Sequence, residues 1–175
     1  FSLFLCFFLL SSTAEQSKGN ILNPNEFVIT LNWPDNSRND FDIFVSDPAG
    51  NVVNFRKTNI GFLTLDRDNV GTSKDILTQD GYIKDPSRRE VVSVRGIMPG
   101  KHIVTVVFWG KREGGQTVDV EVLKLNPYRE VIKRSAMMET EGQEVVIGSF
   151  VVGVDGSVLS VDLNETEGLV RGMVK

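Results

Sequence analysis

Two pairs of carboxylates, each pair two residues apart, are the side chains of this sequence best suited to chemistry. Asp40 and Asp42 begin the stretch Asp40-Phe41-Asp42-Ile43-Phe44-Val45, and Asp66 and Asp68 follow Leu65 just before Asn69, Val70 and Gly71. Residues two apart in an extended chain share a face, so each pair projects two carboxylates to one side. Both pairs border turns whose carbonyl oxygens are free to complete the shell of a hard cation, and calcium is the ion such a shell suits. An EF-hand is excluded: Val70 stands at the fifth position counted from Asp66, and Leu77 at the twelfth, where a bidentate glutamate belongs. The expectation is a site gathered from neighbouring elements at an end or edge of the fold, with Asp40, Asp42, Asp66 and Asp68 as metal ligands. The competing reading leaves all four solvated, because Asp is favoured in turns in any case.

Other reactive groups are sparse. His102 is the only histidine, so a His-rich zinc site cannot form, and no serine sits on an elbow that would complete a triad. It is expected at the surface or edge of its strand. Carboxylate pairs can hydrolyse a glycosidic bond, yet no pair stands out, and a non-enzymatic chain is the expectation, with glycoside hydrolase-like activity left open. Phe44, Trp109 and Tyr82 are the candidate ligand-binding aromatics: plates beside polar groups suit sugar rings or protein partners. Alternatively, the rings of Phe44 and Trp109 pack beneath a neighbouring sheet or loop.

These groups must be positioned by strands. The 175-residue chain suits one domain, and its valine- and glycine-rich composition lacks helical periodicity. Phe27, Ile29, Leu31 and Trp33 alternate with smaller or polar residues, as do Val118, Val120 and Val122, the period of half-buried strands. In the Asp40 strand, Phe41, Ile43 and Val45 take the inner face and Asp40, Asp42, Phe44 and Ser46 the outer. Asp47-Pro48-Ala49-Gly50 is a tight turn, and Asp155-Gly156 a hairpin signal. The short Lys111 to Gln116 connection predicts that the strand ending at Trp109 pairs with the one after it. Tyr128 to Arg134 is read as strand, and 56–89 as a long decorated loop with a strand fragment. The fold expected is an all-β antiparallel sandwich, immunoglobulin-like or jelly-roll-like, of about eight or nine strands over residues 26–163, followed by a frayed tail at 164–175.

The apolar run Phe1 to Leu10, followed by Ser11-Ser12-Thr13-Ala14, has the character of an N-terminally truncated signal peptide over 1–14, with a polar flexible linker at 15–25. It points to export, whether periplasmic, extracellular or to the cell surface, with membrane attachment only through an uncleaved leader. Cys6 is the only cysteine, which rules out an intrachain disulfide framework or a thiolate metal site. A net charge of −4 with scattered basic residues gives no electrostatic footprint for nucleic acid.

The Asp40 strand resembles the signature of a bacterial β-sandwich family of unknown function that reads Asp-Leu-Asp-Leu-His-Val, then Asp-Pro and Gly. The matching residues are Asp40 to Val45, Asp47-Pro48 and Gly50, joined by Trp33, Leu65 to Asp68 and Met98 to His102, within residues 27–122. The resemblance implies an exported sandwich of the kind found in bacterial surface proteins and phage-borne proteins, and carries Asp40, Asp42, Asp66 and Asp68 over as a shared motif. Phe44 replaces the family's histidine, so no role of that histidine transfers. Together these readings lead to an exported binding module for a surface, glycan or protein partner, steadied by calcium. The alternative is a structural, oligomeric subunit of a cell-surface or virion assembly.

Overall fold

A computed structural model of the chain describes residues 25–71, 75–78 and 81–170, the strands at 75–78 and 81–84 by their backbone alone. The expected leader and nearly all of the expected linker lie outside the described residues, as do 171–175. In chain order the strands are β1 (Phe27–Trp33), β2 (Asp40–Ser46), β3 (Val52–Val53), β4 (Asn59–Ile60), β5 (Leu63–Arg67), β6 (Asp75–Thr78), β7 (Gly81–Lys84), β8 (Arg88–Val94), β9 (Gly100–Gly110), β10 (Gln116–Leu125), β11 (Tyr128–Met138), β12 (Glu144–Val152) and β13 (Val158–Asp162). They form a six-stranded sheet, β11-β10-β1-β8-β5-β4, and a five-stranded sheet, β13-β12-β9-β2-β3, with β6-β7 as a separate hairpin. The expected all-β antiparallel sandwich is therefore present. Its strand count exceeds eight or nine because 56–89, read as a decorated loop, contributes β4 to β7 in short pieces.

Period-two patterning accounts for the core. On β1, Phe27, Ile29, Leu31 and Trp33 are buried while the residues between them are half-buried, and Val118, Val120 and Val122 of β10 are buried beside them. From the facing sheet come Phe41, Ile43 and Val45 of β2, Val104, Val106 and Phe108 of β9, and Ile147 and Phe150 of β12. Phe41 joins the layers: its ring centroid lies 4.3 Å from Phe108 in its own sheet and 5.6 Å from Trp33 in the other. Burying such a side chain contributes about 1.5 to 3 kcal/mol.

Two expectations are corrected here. The strand ending at Gly110 does not pair with β10: β9 lies between β2 and β12, and β10 between β1 and β11. Segment 111–115 crosses between sheets instead of closing a hairpin. β9 carries apolar residues on both faces, Val106 and Phe108 in one cluster and Val107 in another, as a central strand covered on two sides must. The tail is not frayed over 164–170. Glu144 accepts the backbone N–H groups of Leu169 (2.6 Å) and Val170 (3.2 Å), Lys101 pairs with Glu165 and Glu167, and Val170 packs on Phe44 and Val107.

Candidate functional site

The site lies where β2 loses its outer neighbour. β3 pairs with Val45 and Ser46, and at Ile43 the strandless outer edge is met by Glu90 of β8, whose Oε2 accepts the Ile43 N–H at 2.7 Å. Its other oxygen accepts the N–H of Asn69 at 3.3 Å. The chain leaving β5 carries Asp68 to the same place. One carboxylate oxygen each from Asp42, Asp68 and Glu90 lies within 4.8 Å of the other two, so the group draws on both sheets and the loop between β5 and β6.

Three turns latch this end. Asn69 accepts the Gly71 N–H through its side chain and donates to the Ser87 carbonyl. Gly71, at φ +68°, lies so close to the Arg38 and Asn39 carbonyls that a Cβ would stand 2.2 Å from one of them, which only glycine avoids. Arg112 donates to the carbonyls of Arg38 and Val70, both at 2.9 Å, and Asn39 accepts the N–H groups of Arg112 and Glu113.

The electrostatics follow from crowding acids out of water. Asp42 is 3% exposed and Glu90 1%. Burial, then the neighbouring charges of Asp40 and Asp68, push the Asp42 carboxyl up to about 8. Glu90 is raised well above the ordinary glutamate range by burial first and by Asp42 next, with a side-chain hydrogen bond to Asp68 and the charge of Asp68 adding to it, against the Ile43 N–H that lowers it. Asp42 Oδ2 and Asp68 Oδ1 are buried with no hydrogen-bond partner among the described residues.

Of the four aspartates expected as ligands, Asp42 and Asp68 meet, and Asp40 adjoins them at the start of β2, with Oδ2 4.0 Å from the Arg112 guanidinium. Asp66 stands apart. It is exposed, accepts from the Ser93 hydroxyl, and pairs with Arg95 at 2.5 Å. The pairing of β5 with β8 slips between Leu65 and Arg67 and the strand ends there, so the i, i+2 rule does not carry from Asp66 to Asp68. Glu90 was not among the expected ligands, although a signal existed: it falls in phase with Val92 and Val94, the buried face of β8.

The aromatic candidates fare differently. Phe44 is buried beneath Val170 rather than displayed, a correction whose cause is the tail covering that face. Trp109 is half-buried, 4.8 Å from the Phe55 ring, with the Arg56 guanidinium 5.4 Å above it. Tyr82 lies on β7, opposite Leu77, its side chain outside the described residues. His102, expected at the surface, is fully buried and stacked on Phe150 at 5.0 Å.

No family model matches this chain, and no curated protein matches it. Among solved structures, the crystal structure of the unknown-function protein SAV2460 is similar, at 18% identity and a TM-score of 0.43, over 82% of this chain and 92% of that one.

Proposed function

We propose that this protein is an exported, non-enzymatic binding module that engages a protein partner along the open edge of its five-stranded sheet. One observation carries the reading: of the eight exposed large apolar side chains among the described residues, five lie at that edge and the adjoining end, and the other three, Leu125, Tyr128 and Met137, belong to β10 and β11 of the six-stranded sheet. Leu159, Val161 and Leu163 alternate along β13 and just beyond it, Leu159 at 66% exposed, and Val154 in the preceding turn is 87% exposed. Ile97 lies against the same turn, within 2.8 Å of where a Gly156 Cβ would stand. β13 pairs with β12 alone and ends its sheet. An edge strand with exposed aliphatics and no lysine or proline from Val158 to Asp162 is suited to accept an added strand.

Export rests on the character of residues 1–14. The non-enzymatic reading is supported by the burial of Asp42, Glu90 and His102, each at most 3% exposed. The test is photocrosslinking in the native host, with a photoreactive side chain at Leu159 or Val161 and a control at Arg89, which is exposed on the other sheet. A defined protein adduct from the β13 positions, absent from the control and lost on Ser160→Pro, is expected. Adducts of equal yield from all positions would overturn the reading.

A second reading, a structural subunit pairing with itself, is favoured by the symmetry of the same strand. An antiparallel pair of β13 strands centred on Ser160 sets Leu159 against Val161 and leaves no like charges opposed. Light scattering separates the two: a concentration-dependent dimer lost on Val161→Lys selects self-assembly, and a monomer at all concentrations selects the binding module.

A further inference from the structure

We infer that Asp42, Asp68 and Glu90 form a calcium site that ties the two sheets of the sandwich together at the Asp40 end. The inference is independent of the partner-binding edge, which lies on the opposite side of the five-stranded sheet.

Geometry comes first. Calcium–oxygen bonds measure about 2.3 to 2.6 Å, so oxygens on opposite sides of one ion stand about 4.6 to 5.2 Å apart. The three carboxylate oxygens fall within 4.8 Å of one another, the span of one coordination shell. The donors are all hard oxygens, with no histidine or cysteine among them, which favours calcium or magnesium over zinc or copper.

A second observation stands apart from the clustering of acids. Asp42 is 3% exposed, yet its Oδ2 has no hydrogen-bond partner among the described residues. Buried carboxylate oxygens are normally paired, because leaving one unmet forfeits its hydration without return. The hydrogen bonds that Glu90 accepts, from Ile43 and Asn69, orient its carboxylate and leave lone pairs for a ligand. Arg112 stands 4.0 Å from Asp40 and offsets that fourth carboxylate at the rim. A divalent cation offsets the inner three.

Placement gives the ion its consequence. Asp42 belongs to β2 in one sheet, Glu90 to β8 in the other, and Asp68 to the chain leaving β5. One bound ion would join both layers and the turn at Asn69 to Gly71, at the place where the outer edge of β2, beyond its pairing with β3, has no strand beside it among the described residues.

The test uses the whole chain after chelator treatment. Calcium is added at neutral pH and followed by isothermal titration and by thermal unfolding, with magnesium as comparator. Expected are about one calcium per chain, a calcium-dependent rise in Tm, and a smaller rise with magnesium at equal concentration. Asp42→Asn and Glu90→Gln should each abolish the calcium-dependent rise, whereas Asp66→Asn, which lies outside the cluster, should keep it. Absence of calcium binding to the wild-type chain overturns the inference, as does a calcium response retained in a folded Glu90→Gln variant. If both cluster variants fail to fold, the wild-type titration with the Asp66→Asn control decides.

Discussion

At the scale of single residues, His102 has the clearest consequence. Its ring lies fully buried against Phe150, Nδ1 is 3.3 Å from the Gly100 carbonyl, and Nε2 is buried without a hydrogen-bond partner among the described residues. Burial holds its pKa below the ordinary 6.5, against the smaller raising influences of the Gly100 carbonyl and Asp47. A histidine whose folded pKa is depressed contributes stability that is present above the unfolded value and is lost as pH falls below it. Acidification from pH 7.5 to 5.5 should therefore lower the Tm of the wild type more than that of His102→Leu. Parallel slopes would show that the ring charges at no cost in the fold.

At the scale of elements, residues 164–170 act as a strap across the outer face of the five-stranded sheet. Their anchors are polar, through Glu144 and Lys101, but the stabilising contact is apolar, where Leu169 and Val170 close over Phe44 and Val107. Ending the chain after Asn164 should expose this surface and lower stability by about 2 to 3 kcal/mol, the scale of one or two buried aliphatic side chains. Urea unfolding and the binding of an apolar dye measure it. An unchanged midpoint with no dye binding would mean that the strap rests on the face without holding it.

For the whole molecule, the decisive feature is the single core shared by two sheets. Phe41, in contact with Phe108 and Trp33, packs at the seam, so its removal leaves a cavity that neither layer can close alone. Phe41→Ala should cost about 3 to 5 kcal/mol and shift the urea midpoint as one transition. Loss of one transition and appearance of two would show that the sheets unfold separately.

Alternation along β1, β2 and β10 determined from sequence alone that this chain is an antiparallel sandwich with Phe27, Ile29, Leu31, Phe41 and Val120 inside, because a period of two follows from the geometry of an extended backbone. The Asp155-Gly156 hairpin was equally legible, since a tight turn is a local property. The aspartates were legible as chemistry but not as a site. Asp42 and Asp68 meet only because β2 and the end of β5 are brought together by β8, and Asp66 leaves them because the ladder slips beside it. The partners of β9 were likewise decided by tertiary structure: five residues after a strand can turn back or cross to the other layer, and the choice depends on which hydrogen-bonding edges are already occupied. Glu90 shows the same division. Its phase with Val92 and Val94 is written in the sequence, but that this buried carboxylate faces two others, rather than a basic partner, is a long-range relation that no local pattern encodes.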